Sequence, residues 1–447
     1  MPRPTPVDTP FATRVGEPVG TPVGEPVGTP VGEPASGALA WRIFACFAAG
    51  YFMSYGLRSV NAVLAPDLVG ELSLTNAQLG ALTSAYFFAF AGMQLPLGVW
   101  LDRFGPRRVD AVLMAVAGLG CVVFAVSTSF GALWFGRALV GVGVSAGLMA
   151  SLTAFRQWFA PQRQTQLAAW MLMVGTMGVL TTTVPVHWVL PVLGWRGVFW
   201  VAAAMLVAVA VLMWTVLPRD RERKSAVPTP SFLASMAGYR EVFRHGYFWR
   251  MAANGAVVQG GFIAMQSLWV GPWFNKVLGM SADQGADRLF VFNLVLLASF
   301  LALGWVAPRV DAGRQALVRI VAIGTAALIA LEIAIALAEG TGAWRLWLLY
   351  AAVATHYTLV QPRVGMVFPS HLAGRALTAF NLVIFVGVFL SQWGFGVVID
   401  AFRTHGQSET AAFRSAMLVL AGMHAASLAL FVLWPRRWAS PGAAPRP

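Results

Sequence analysis

Twelve apolar runs of 18 residues or more recur along the whole of this 447-residue chain, and nothing else in the sequence limits its architecture so strongly. They lie at roughly 41–66, 77–100, 109–128, 131–155, 166–190, 197–217, 248–274, 286–306, 316–338, 344–369, 376–399 and 411–434, numbered here as spans 1 to 12. At about 1.5 Å of rise per residue, each is long enough to cross a hydrocarbon layer of about 30 Å as a helix. Backbone amides find no water in that layer, so such runs close their hydrogen bonds within helices. Composition agrees, since 58% hydrophobic and 11% charged residues lie far from the mixture of a soluble domain.

The formal net charge of +13 would suit a nucleic-acid partner, but the distribution of the charges argues for membrane sidedness instead. With both termini in the cytoplasm, 22 of the 31 Lys and Arg fall in cytoplasmic segments and 6 in periplasmic ones, while Arg58, Arg137 and Arg363 lie inside spans. The cluster Arg219, Arg221, Arg223 and Lys224 between spans 6 and 7 reads as a topology anchor. Of the 31 basic residues 29 are Arg, the pattern of a GC-rich bacterial genome. The expected setting is a bacterial inner (cytoplasmic) membrane, crossed many times, with both termini cytoplasmic, lipid as surroundings and no nucleic-acid partner. Cys46 and Cys121 both fall within spans, which offers no disulfide framework and no metal-ligand spacing. The first span begins too late and runs too long for a secretory signal.

Residues 1–38 contain "VGEPVGTPVGEPVGTPVGEP", whose regular proline and glycine forbid helix and whose small side chains cannot build a core. The segment is expected to be a disordered cytoplasmic tail. Residues 218–247 form a polar, basic cytoplasmic linker that divides the chain into an N-terminal six-helix bundle at 39–217 and a C-terminal one at 248–435, followed by a tail at 436–447. The expected fold class is thus an all-α membrane protein with twelve transmembrane helices in two six-helix bundles. A weak echo between "GVWLDRFGPRR" at 98–108 and "GWVAPRVDAGR" at 304–314 supports internal duplication, the way many transporters build a midplane site between halves.

"GVWLDRFGPRR" resembles the loop between the second and third helices of the major facilitator superfamily, with Gly98, Asp102, Arg103, Gly105, Arg107 and Arg108 at the matching places. In that family the loop latches the halves together on the cytoplasmic side, which implies a gating role for these six residues. A carboxylate such as Asp102 suits the N-terminal end of span 11, near Gly374. Pro308 stands at the corresponding place in the second half, so one latch of this type remains. "RALVGVGVSAG", Arg137 to Gly147, resembles the fourth helix of the family, and its small residues allow close helix approach. "GWRGVFW" at 194–200 resembles the start of its sixth helix, and the resemblance covers about residues 40–435.

Within the superfamily, "LRSVNAVLAP" at 57–66 is most similar to two organic-anion branches, the organophosphate:phosphate antiporters and the anion:cation symporters of sugar acids. Both place an arginine eight residues before a proline, as Arg58 stands before Pro66. The phosphate-ester branch has a second such arginine in its seventh helix, where counting back from Pro272 gives Ala264, so the paired clamp is missing. The sugar-acid branch often carries acids at two places held here by Leu57 and Val144.

Tyr51, Ser54, Tyr55, Arg58 and Asn61 recur at intervals of three or four and share one face of span 1, and a polar stripe of that kind belongs toward a wet interior. Arg58 lies about 17 residues into its helix, roughly 25 Å from the cytoplasmic end, where the alternatives are anion binding and snorkelling outward. Its guanidinium stays charged and can grip a carboxylate or phosphate through two parallel hydrogen bonds. Arg137 on span 4 either assists or packs, and Arg363 on span 10 either contacts ligand or snorkels and gates. Further polar positions fall at Thr176, Thr183 and His187 on span 5, Gln259 and Gln266 on span 7, His356 on span 10, and Asn381 and Gln392 on span 11. The candidate substrate set is therefore Arg58, Tyr55, Asn61, Tyr51, Arg137, Gln259, Gln266, His356, Arg363 and Asn381. Glu332 on span 9 is read as the one acid well inside a helix, and with His187 and His356 it is a candidate for proton coupling.

The function these readings imply is secondary active transport of a small organic anion by alternating access. A carboxylate or sugar acid is favoured over a phosphate ester, and proton-coupled uptake over exchange. Efflux of lipophilic compounds and a transporter-like ligand sensor are the alternatives. No phosphate loop, nucleophile elbow or metal constellation is present, so neither enzyme activity nor a cofactor is expected. A monomer is the expected state.

Overall fold

A computed structural model describes residues 35–160, 163–219, 232–306 and 314–434. The expected disordered tail, the basic cluster from Asp220 to Lys224, the second-half echo around Pro308 and the C-terminal tail lie outside the described residues.

Among the described residues every regular element is helical. In the first half these are α1 (Gly37–Ser59), α2 (Asn61–Leu72), α3 (Asn76–Phe104), α4 (Pro106–Val126), α5 (Phe130–Gly143), α6 (Gly147–Trp158), α7 (Gln164–Thr181) and α8 (Val184–Val216). α9 (Phe232–Arg244) lies in the linker. The second half holds α10 (Gly246–Ala264), α11 (Val270–Lys276), α12 (Ala282–Val306), α13 (Arg314–Leu337), α14 (Trp344–Ala354), α15 (Val360–Val367), α16 (Ser370–Thr404) and α17 (Glu409–Leu433).

The larger number of helices than spans has a simple cause: several spans break at mid-height. Span 1 is α1 and α2, which meet at Val60, where Val63 N bonds three residues back to Val60 O. Span 4 is α5 and α6, separated at Val144–Ala146. Span 7 is α10 and α11 joined by a π turn at Met265–Trp269, and span 10 is α14 and α15 joined by a 3₁₀ turn at Thr355–Leu359. These four spans hold the same place in successive groups of three, as in transporters assembled from structural repeats whose interrupted helices border a midplane site. Span 5 runs through α7 into the start of α8, which turns at Gly194 (φ +63°) into span 6.

Buried apolar residues of both halves join into one core. Span 1 crosses span 5 through α1 against α7, and span 4 fits into α3 and α4. A Cβ at Gly141 would fall 2.1 Å from Tyr86 O, and one at Gly143 2.3 Å from Ala117 N, so the small residues of "GVGVSAG" are what let span 4 approach spans 2 and 3. In the second half Asn254 Nδ2 donates to Ser427 Oγ at 3.0 Å and Gln392 Nε2 to Ser267 Oγ at 2.9 Å. The linker helix α9 docks on α16, with Tyr239 Oη and Thr378 Oγ1 2.9 Å apart. Cys46 and Cys121 are buried and unpaired.

Candidate functional site

The halves meet along spans 2 and 11 and along spans 1 and 7. On the face opposite the linker they are locked together. The Asp400 carboxylate, near the end of α16, accepts from Ala77 N at 2.7 Å, Asn76 Nδ2 at 2.8 Å and Asn76 N at 3.3 Å. It thus caps the start of α3 across the seam, where free N–H groups and the helix dipole favour an anion. His187 Nε2 lies 2.6 Å from Asp283 Oδ1, a second polar contact between halves. Backbones touch as well: a Cβ on Gly271 would lie 2.3 Å from Ala62 O, and one on Gly396 2.3 Å from Asn76 O. The space left on this side, bordered by Val63, Pro66, His187 and Asn275, is about 20 Å³. The structure is therefore closed on the face opposite the linker.

Arg58 sits two residues before the break in span 1, at mid-height on the seam. Its side chain does not snorkel; it is 8% exposed and held among rings. The guanidinium carbon stands 4.2 Å from the Tyr55 centroid, 5.4 Å from Phe385, 5.8 Å from Phe90 and 6.0 Å from Phe87. Phe385 belongs to the second half and the other three to the first. Among the described residues Arg58 forms no ion pair, and its Nε has no hydrogen-bond partner. A buried cation without an anion is costly, and cation–π contact with several rings offsets part of that cost. Tyr51 and Tyr55 lie with centroids 4.8 Å apart, and a Cβ on Gly175 of α7 would come within 2.8 Å of the Tyr51 ring, which fixes both tyrosines beside Arg58.

The other candidates divide by bundle. Arg137 is fully enclosed in the first half, where Nη1 donates to Leu57 O at 3.1 Å, next door to Arg58 in the chain, and its guanidinium lies 5.6 Å from the Tyr86 centroid. Asn61 is buried and donates to Thr83 Oγ1 at 3.0 Å. In the second half Gln266 donates to Asn293 Oδ1 at 3.2 Å and Gln361 to Asn381 Oδ1 at 2.8 Å, so Gln266 and Asn381 are engaged within their own bundle. Gln259 keeps a buried Oε1 without a partner, and Arg363 is half-buried on α15. His356 Nδ1 donates to Val353 O at 2.8 Å, which leaves Nε2 to accept from Thr325 Oγ1 at 3.4 Å.

Glu332 is fully buried and meets an unforeseen partner, His424 of span 12, at 2.9 Å. The other ring nitrogen, His424 Nε2, faces Val257 O at 3.1 Å and must donate to it, since a carbonyl only accepts. The contact between Nδ1 and the carboxyl therefore requires a proton of its own, carried by one group or the other. Tyr350 Oη donates to the same carboxyl at 3.5 Å. The reading of Glu332 as the one acid well inside a helix is corrected by Asp110: α4 begins at Pro106, before the expected start of span 3, and neighbouring helices enclose Asp110 with neither oxygen hydrogen-bonded among the described residues.

In the 98–108 loop, α3 ends at Phe104, Gly105 takes φ +80° and Pro106 opens α4. Arg107 donates through Nε to Met213 O at 3.3 Å and through Nη2 to Trp214 O, tying the loop to span 6. Arg103 lies over Phe104 with its guanidinium carbon 5.3 Å from the ring centroid, Arg108 is exposed and Gly98 borders open space. The side chain of Asp102 lies outside the described residues. A cavity of about 470 Å³, lined by Trp41, Phe44, Phe159, Arg163 and Trp170, opens on the linker face of the first half and borders none of the candidate residues.

Sequence reasoning missed Phe385, Asp400 and His424. Phe385 had a legible signal, lying one turn after Asn381 and two before Gln392 on one face of α16. Asp400 and His424 had none, because their partners are more than 90 residues away.

The sequence model described as Major Facilitator Superfamily matches residues 47–392. The hexuronate transporter of Escherichia coli (strain K12) is 28% identical over 274 residues, 58% of this chain and 62% of that protein. The cis,cis-muconate transport protein of Acinetobacter baylyi is 25% identical over 287 residues, 61% of this chain and 65% of that protein. Each match thus spans somewhat less than two thirds of the relative's length. Among solved structures, a bacterial homolog to the human lysosomal transporter Spinster superposes with a TM-score of 0.74 at 18% identity, covering 92% of this chain and 100% of that one. That likeness shows the fold.

Proposed function

The chain belongs to the Major Facilitator Superfamily, and from that premise we propose that it is a secondary active transporter of a small organic anion, a carboxylate or sugar acid rather than a phosphate ester, working by alternating access. One observation carries the proposal: Arg58, buried at the seam of the two halves, touches rings of both and has no carboxylate partner among the described residues. A substrate anion is the partner it lacks, and a group contacting both halves is where binding can be linked to their rearrangement. Relatives named for hexuronate and cis,cis-muconate, both carboxylates, support the same class. Ala264, where a second span-7 arginine would stand in the phosphate-ester branch, supports excluding that branch.

Within this proposal the Asp400 cap closes the outer face, the 98–108 loop latches the inner one, and the protein is a monomer of the bacterial inner membrane with cytoplasmic termini. Coupling to protons falls to Glu332 and His424, whose contact needs a proton to exist. The test is uptake of labelled carboxylates into proteoliposomes under an imposed pH gradient. Arg58→Ala is expected to abolish uptake while the protein remains monodisperse; unchanged uptake refutes the anion-clamp reading. A flux indifferent to the gradient refutes proton coupling.

A further inference from the structure

Resting on the reading of Arg58 as the anion contact, we infer that the carboxylate it takes has a flat, apolar body, an aromatic or conjugated acid rather than a polyhydroxylated sugar acid.

The geometry around the guanidinium separates two kinds of surface. The guanidinium carbon lies 4.2 Å from the Tyr55 ring centroid, and a cation–π contact of that kind does not use the N–H donors, one of which goes to Tyr86. Nε is buried without a hydrogen-bond partner, so an edge of the fork lacks the acceptor that a carboxylate would supply through two parallel bonds. Around that edge the walls are rings. Phe385 lies 4.6 Å from Phe90 and 6.0 Å, nearly parallel at 12°, from Phe87, and Tyr51 adjoins Tyr55. A planar body held by its carboxylate at Arg58 meets Phe385 from one half and Tyr55 from the other, in the offset contacts aromatic pairs favour.

A sugar acid asks for something different. Each hydroxyl removed from water needs a partner, and one left bare weakens binding by roughly tenfold. Four side-chain amides of the spans already spend a donor within the protein: Gln266 on Asn293, Gln361 on Asn381, Asn61 on Thr83 and Gln392 on Ser267. His356 is held by Val353 O and Thr325. Asn61, Gln259 and Gln392 each keep a bare oxygen, which accepts from a hydroxyl but donates nothing to one.

The purified full-length protein in proteoliposomes is tested by counterflow with trans-cinnamate, benzoate and glucuronate, alongside Arg58→Ala, Arg58→Lys and Phe385→Leu. Phe385→Leu keeps an apolar side chain and removes the ring, so it isolates stacking from folding. Cinnamate or benzoate is expected to half-saturate at a concentration at least tenfold below glucuronate, and Phe385→Leu to raise the cinnamate value at least fivefold. If glucuronate half-saturates lowest and Arg58→Ala abolishes its counterflow, the apolar-body inference is overturned and the Arg58 reading stands. If Arg58→Ala leaves every anion unaffected, the Arg58 reading itself falls. If the unaltered protein moves none of the three, or Phe385→Leu leaves the cinnamate value unchanged, the inference is likewise overturned.

Discussion

Removing the charge of Asp400 should loosen the closed face. Its carboxylate accepts three hydrogen bonds at 2.7, 2.8 and 3.3 Å from the first residues of α3, which belongs to the other half. A hydrogen bond to a charged group contributes about 1.5–3 kcal/mol, and a carboxylate at a helix start adds about 0.3–1 kcal/mol. The site is partly solvated, and in the open state water replaces much of what is lost, so we take a net of about 1.5–2 kcal/mol. That is a shift of roughly 10–30-fold in the balance between closed and open outer faces. Asp400→Asn keeps one acceptor and should move less than Asp400→Ala. The assay is labelling by a membrane-impermeant maleimide of Val63→Cys, a half-buried position bordering the small outer cavity, in a background where Cys46 and Cys121 are alanine. Labelling should accelerate by about tenfold or more on Asp400→Ala. Equal rates in all three proteins would refute the reasoning that this cap holds the face shut.

Arg58→Lys keeps the charge but loses the planar fork, so half-saturation should rise about tenfold or more with unchanged expression, as read by counterflow. Gly271→Leu puts atoms where Ala62 O lies 2.3 Å from an ideal Cβ; transport should fall by at least tenfold while outer-face labelling rises. Glu332→Ala strands His424 inside the second bundle, and loss of one member of a buried pair costs about 3–5 kcal/mol, so the melting temperature should drop by roughly 10 °C. Glu71, exposed in the last turn of α2 beyond the apolar run of span 1, has its carboxyl held below the ordinary glutamate range by hydrogen bonds from Arg196 and Trp195. Being lowered in the folded state, it stabilises above about pH 4.3 and loses that contribution as pH falls further. The melting difference between the protein and Glu71→Gln should therefore be small and constant from neutral pH to about pH 5.5, then vanish in acid.

The helical character of the chain followed from the sequence because the bilayer leaves backbone groups no other partners, so length and hydropathy point to the spans. The breaks at mid-height were less legible: Val60 and Thr355–Leu359 carry neither proline nor a glycine pair. Arg58 could be singled out from its cost in an apolar run, and its lack of a second span-7 arginine was readable by counting. Its aromatic surroundings were not, because Phe385 arrives from a helix more than 300 residues later. Asp400 and His424 carried no signal in the sequence; the fold set Asp400 on the start of α3 and brought Glu332 of span 9 against His424. Sequence determined what each span must be, since solvation acts on residues one at a time. Which groups answer one another across the seam was decided by tertiary structure alone, because hydrogen bonds and ring contacts act over a few ångströms of space and take no account of distance along the chain.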